Sequence, residues 1–178
     1  SASNLFVSDS MTIANFQYTK TNQGGDDFLI YWTASRGLLL DGTSPYSEQI
    51  TAEIQNTKNP SDNGILYTKF PLYSIVMFFP FALIKNFMLS RAIWMTVSES
   101  ALIATIILCL RLFNWNIKKS IVFLFILFSL FLYHGVSAIL SGNLIIILAL
   151  FLVLLLITIK NHQDEVSGML LAFLILKP

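Results

Sequence analysis

Two adjacent carboxylates, Asp26 and Asp27, stand immediately before the apolar stretch that begins at Phe28. A positioned carboxylate can accept the proton of an attacking hydroxyl, which is general-base catalysis. Acids at a helix start also complement the positive end of the helix dipole. Spacing alone therefore leaves Asp26 and Asp27 as base or as caps. Further along, His134-Gly135 and Ser141-Gly142-Asn143 place polar groups and glycines between two apolar runs. They read either as a ligand-contacting stretch or as one helix ending and the next beginning. Lys177-Pro178 closes a further apolar run, where an ammonium either meets an anion or snorkels to an interface. Glu99, between Ser98 and Ser100, is either a relay group or a neutral carboxyl bonded to a neighbouring helix. There is no Walker-type phosphate loop, no His-Glu-x-x-His and no Gly-x-Ser-x-Gly. The single cysteine, Cys109, excludes a disulfide scaffold and a Cys-based zinc site.

The elements that must carry these residues follow from composition. The chain has 178 residues, 55% of them hydrophobic and 12% charged, where a soluble domain has about 25% charged. A net charge of +1 gives no support for nucleic-acid binding. Residues 1–70 hold seven acids and four bases, whereas residues 71–178 hold three acids and seven bases. A polar, acidic part thus precedes an apolar, basic one. Apolar runs at Phe70–Ile84, Ala92–Leu110, Ile121–Leu140 and Leu144–Ile159, with a fifth from Val166, approach the roughly 20 residues that a spanning helix needs. Pro71 and Pro80 make the first run the irregular one. The basic stretch Arg111–Lys119 reads as a cytoplasmic loop, but Lys85–Arg91 is basic too and only one span separates them. The uncharged connection His134–Asn143 suits the opposite side, and Lys160–Glu165 returns to the cytoplasm.

In the polar part, Phe28–Leu40 has the spacing of an amphipathic helix, with Phe28, Tyr31, Trp32, Ser35 and Leu39 on one face. Asp41-Gly42 stop it. Its Tyr31 and Trp32 favour a membrane–water interface, so the helix is expected to lie on the bilayer surface. Ser47–Lys58 is a weaker helix with Ile50 and Ile54 one turn apart, and residues 59–64 are a loop tip rich in turn formers. The start at Ser1 and the stop at Lys177-Pro178 suggest a piece of a longer membrane protein.

In order, the features are Asp27-Phe28-x-x-Tyr31, Gly42-x-Ser44-Pro45-Tyr46, Tyr67-x-x-Phe70-Pro71-Leu72, Pro80, Trp94, Ser141-Gly142-Asn143 and Gly168…Lys177-Pro178. This order resembles the N-terminal half of a GT-C-fold glycosyltransferase. The nearest groups are the polyprenol-phosphate-mannose-dependent mannosyltransferases and their dolichol-phosphate-mannose relatives. The resemblance implies an acid in the first extracytoplasmic loop acting as general base, with inversion of the sugar. The matching residue is Asp27, with Asp26 beside it. The Gly-Asn and Lys-Pro positions match Gly142-Asn143 and Lys177-Pro178. The chain departs from the family pattern in a longer stretch between Tyr46 and Tyr67, and in lacking the first and the later transmembrane helices.

A polyprenyl phosphate leaving group needs cations or donors, for which Lys177, His134 and Arg36 are the candidates. Asn143 is a donor to phosphate or sugar, and Tyr31, Trp32 and Tyr46 are candidates for stacking on sugar rings. No protein metal site is expected, no cofactor is specified, and a divalent metal is left open. Expected partners are a polyprenyl-phosphate sugar donor, a glycan or glycolipid acceptor, and the lipid bilayer. The expected architecture is all-α: a polytopic transmembrane helical bundle in the plasma membrane. Residues 1–69 form its first extracytoplasmic loop, with juxtamembrane amphipathic helices, and residues 70–178 supply four spans and the start of a fifth. The competing functions are a transporter or flippase lined by Glu99 and Lys177, or another lipid-linked-glycan protein such as a ligase.

Overall fold

A computed structural model describes residues 2–22, 24–57 and 66–175, with side chains from residue 9 onward. Among these residues the structure is entirely helical. The helices are α1 (Ala2–Thr21), α2 (Asp26–Leu40), α3 (Glu48–Thr57), α4 (Leu72–Val76), α5 (Phe79–Ala82), α6 (Phe87–Leu112), α7 (Lys119–Phe131), α8 (Tyr133–Ser141), α9 (Ile145–Lys160) and α10 (Asp164–Leu174). They form two compact units, residues 1–96 with 140–142, and residues 97–139 with 143–178. The expected loop tip at 59–64 and Lys177 lie outside the described residues.

In the first unit α2 is the central element. Eight consecutive residues, Phe28 through Ser35, are all buried. Burial over more than two turns leaves no face outward, which corrects the expectation of an amphipathic helix lying on a bilayer surface. The polar residues of α2 are absorbed by the segment that follows α3. Pro71 and Pro80 break the first apolar run into α4 and α5, because proline has no N–H to donate and clashes within a helix. The broken helix exposes carbonyl oxygens, and α2 satisfies three of them. Ser35 Oγ donates to the Ile75 carbonyl at 2.8 Å, Arg36 Nη1 to that of Ala82 at 2.7 Å, and Trp32 Nε1 to that of Ile84 at 3.3 Å. Around these bonds Leu29, Ile30, Ala34, Ile50, Ile54 and Ile75 form an apolar core.

Two further features of this unit are absent from the sequence expectations. Residues 2–21 form a helix, α1, although they show no apolar periodicity. Polar side chains hold it: Asn15 Nδ2 and Thr12 Oγ1 donate to Thr96 Oγ1 at 3.1 and 3.2 Å, and Thr19 Oγ1 donates to the Met88 carbonyl at 3.2 Å. Arg91, counted as part of a basic loop, is a helical residue only 3% exposed.

The described helices include one that is long and apolar enough to cross a membrane, α6, whose 26 residues extend about 39 Å. The third apolar run is not one straight span. It breaks at Leu132, whose φ of −62° and ψ of 137° are extended, into α7 and α8 bent by 57°. The stretch 133–141, expected as a connection, is therefore helical. The fourth run gives α9, whose 16 residues reach about 24 Å, short of the roughly 30 Å hydrocarbon core. In the second unit α9 and α10 pair as a hairpin, tied by Ser167 Oγ to Thr158 Oγ1 at 2.9 Å. Lys160 Nζ donates to the Leu112 carbonyl at 3.2 Å, so the turn after α9 and the end of α6 lie side by side. No residue of α7 is buried, and Phe123, Leu124, Phe128 and Phe131 are each more than half exposed.

Candidate active site

Asp26 and Asp27 occupy the first turn of α2, both half-buried. Gly25 starts the helix with φ 88°, and Gly24 before it has φ 143°. Such angles strain any residue with a Cβ. Space is the second constraint. A Cβ on Gly25 would lie 2.5 Å from Nε and 2.9 Å from Cδ of Arg91.

Arg91 is the centre of this corner. Its Nη1 donates to the Asn22 carbonyl at 3.0 Å and its Nη2 to the Leu140 carbonyl at 3.1 Å. The planar fork of a guanidinium suits two such acceptors at once. Its Nε is buried without a hydrogen-bond partner, and its charge interacts with that of Asp26. One side chain thus fixes the residues just before the acid pair and the chain at 140–142. Sequence reading missed Arg91 because a base beside Leu89 and Ser90 looks the same in a loop as in a buried helix. Its one visible signal is a lone base within an otherwise apolar helical stretch.

Gly142 completes the corner. It has φ 78° and ends α8, and a Cβ there would strike the Phe28 Cβ and lie 3.1 Å from its Cα and N. The residue after Asp27 therefore packs directly against the glycine of the Ser141-Gly142-Asn143 stretch. A Gly142→Ala substitution is expected to cost about 2–4 kcal/mol, from overpacking and a strained left-handed backbone. Thermal unfolding of the purified variant in detergent measures this; an unchanged melting temperature would contradict the tight contact.

One turn beyond Asp27, the Tyr31 ring lies between Phe70 at 4.1 Å and Phe78 at 4.3 Å, stacked on both. Tyr31 is 1% exposed, so neither ring face is open to a sugar, contrary to the stacking role expected for it. Its hydroxyl is buried without a hydrogen-bond partner. Burial, reinforced by the Asp27 charge, pushes that hydroxyl above the usual phenol range and keeps it protonated. Trp94, whose Nε1 is likewise buried and unpartnered, lies 4.6 Å from Phe78 and 6.0 Å from Phe28. An aromatic cluster therefore backs the start of α2 and sets its position.

The other expected binding residues sit in structural roles or in the second unit. Arg36, besides its bond to Ala82, stacks over the Trp32 ring at 4.8 Å. Trp32, buried, spends its indole N–H on Ile84. Tyr46 is half-exposed, and its hydroxyl donates to the Phe70 carbonyl at 2.8 Å, which ties the turn after α2 to the chain before Pro71. In the second unit, Asn143 Oδ1 accepts the Ile145 N–H at 3.1 Å, a capping contact at the start of α9. His134 is exposed near the start of α8, against Tyr133. Glu99 is half-buried on α6. Among the described residues no three His, Cys, Asp or Glu side chains gather as a metal site.

The protein-family model for glycosyltransferase family 87 matches residues 67–178. That stretch is more than half of the chain. The chain belongs to glycosyltransferase family 87. The match takes in the broken α4–α5 segment, Arg91, Trp94 and the 140–142 corner, while Asp26 and Asp27 precede it. No curated protein and no solved structure matches the chain. Membership of family 87 supports glycosyl transfer between a donor and an acceptor, and with the apolar α6 it indicates association with a membrane.

Proposed function

We propose that this protein is an integral-membrane glycosyltransferase that transfers a hexose, mannose by resemblance, from a polyprenyl-phosphate donor to an acceptor hydroxyl with inversion. In this reading Asp27 is the general base, and residues 1–69 form an extracytoplasmic loop beside a polytopic bundle of GT-C type in the plasma membrane. The observation that carries it is the packing of Phe28 on Gly142. It joins the acidic start of α2 to a corner of the family-matched stretch, as a site shared by the two would require. The chemistry is consistent with the placement. A sugar hydroxyl is a poor nucleophile, and a carboxylate at the edge of a buried aromatic cluster can take its proton while the sugar bond forms. The Asp26 charge acts on Arg91, which suits Asp26 to holding the helix start.

The burial of Arg91 also eases the charge conflict in the loops. Without Arg91, the connection before α6 keeps the single base Lys85, while Arg111 in the last turn of α6 is followed by Lys118 and Lys119. The positive-inside rule then favours the α6–α7 connection as cytoplasmic and residues 1–69 as extracytoplasmic. The test is an assay of the full-length protein in proteoliposomes with a panel of polyprenyl-phosphate sugars and labelled acceptors. Transfer from one lipid-linked sugar, with inverted configuration in the product, is the expected result. Activity with nucleotide sugars alone would overturn the donor assignment.

A further inference from the structure

A second place in the molecule has the makings of a binding site, and the proposed transfer reaction has no use for it. The end of α6 and the start of α7 border an open groove of about 520 Å³, lined by Ile107, Leu110, Arg111, Asn114, Trp115 and Val122 among others. Local backbone chemistry builds it. Asn114 takes φ 52°, and the Trp115 N–H reaches back to the Leu110 carbonyl at 2.9 Å. That is a helix-ending motif with a left-handed residue at its turn. The cap folds Trp115 back toward the helix it has just left. The indole nevertheless stays 65% exposed, and neighbouring Phe113 is 70% exposed.

The lining combines two chemistries. Ile107, Leu110 and Val122 give an apolar floor. Arg111 lines the groove, while Lys118 and Lys119 stand at the start of α7. All three are exposed, and none of their side chains has an ion pair or hydrogen bond among the described residues. No acid lines the groove. Uncompensated bases beside an exposed indole at the end of an apolar helix match the chemistry of a lipid headgroup region, where tryptophan and cations sit at the interface.

We infer that this open groove binds the phosphate-bearing headgroup of an anionic phospholipid. The phosphate lies against Arg111 and the Asn114 and Asn116 amides, and the upper acyl chain lies on Ile107, Leu110 and Val122. The site concerns attachment to the bilayer and its lipid composition, and it stands whether or not the protein transfers sugars.

The experiment uses the native tryptophans of the full-length protein in phosphatidylcholine vesicles. Brominated phosphatidylglycerol or brominated phosphatidylcholine is added at equal mole fraction, and fluorescence quenching is titrated. A Trp115→Phe variant isolates the Trp115 signal. The expected apparent affinity for the anionic lipid is at least about fivefold above that for the zwitterionic one, the enrichment expected of one effective cation. That excess disappears in an Arg111→Gln/Lys118→Gln/Lys119→Gln variant whose circular dichroism is unchanged. Equal quenching by the two lipids overturns the proposal, as does an excess that survives the triple substitution. Complete displacement by millimolar inorganic phosphate also overturns it, because the site would then recognise free phosphate and not a lipid.

Discussion

An Asp27→Asn variant is expected to lose about 10²–10⁴-fold in the rate of sugar transfer, the usual contribution of a positioned general base, while its fold and membrane insertion are retained. The two side chains have nearly the same shape, and Asp27 stands at the half-buried start of α2. The substitution removes the negative charge, and with it both the capacity to take a proton and the charge that acts on Tyr31. An Asp26→Asn variant separates the roles of the pair. Because the Asp26 charge acts on Arg91, its loss should weaken the corner and cost much less in rate. Transfer by Asp27→Asn at near wild-type rate would remove Asp27 as the base. A large loss in Asp26→Asn alone would reassign the role to its neighbour. Initial rates on protein of matched melting temperature are the measurement, because a folding defect would lower both variants without distinguishing them.

The second large effect is expected at Arg91. Replacing it by methionine keeps much of the volume but removes both donors, so the Asn22 and Leu140 carbonyls lose their partners. Both bonds are only partly buried, so their loss is expected to cost about 1 kcal/mol each, roughly 2 kcal/mol together. Arg91→Lys should recover part of this, since a single ammonium cannot reproduce a planar fork. Thermal unfolding in detergent, with amide hydrogen exchange at residues 22–28 and 140–142, is the check. Faster exchange in both segments is expected. A change in one segment only would mean that Arg91 does not join them.

Much of the local structure was legible because local rules govern it. The acids at 26 and 27 and the Asp41-Gly42 stop bracket α2, and the isoleucine spacing of α3 is borne out by the burial of Ile50 and Ile54. The two prolines foretold the break between α4 and α5. The environment of α2 was not legible. Periodicity shows one apolar face, but whether the other faces are covered depends on carbonyls and rings supplied 40 or more residues later. Helix α1 was missed for a related reason: it is held by Thr12, Asn15 and Thr19, and hydrogen-bonded helix contacts leave no hydrophobic period. The break at Leu132 has no proline to announce it. Of the candidate site, the acid pair and Gly142 were visible as motifs, while the residue that brings their surroundings together, Arg91, was hidden among apparent loop charges.

The three carbonyls that α2 satisfies bear on the order in which the chain is assembled. The segment from Phe70 to Ile84 is predominantly apolar, yet a bare carbonyl in hydrocarbon costs several kcal/mol. With Ile75, Ala82 and Ile84 each accepting a side-chain bond from α2, that segment has a reason to stay at the water boundary until α2 is in place. The acidic helix is made first on the ribosome, so the template is ready when the proline-broken segment emerges. A defect in α2 would then show itself first as misinsertion of the chain that follows, before any loss of chemistry.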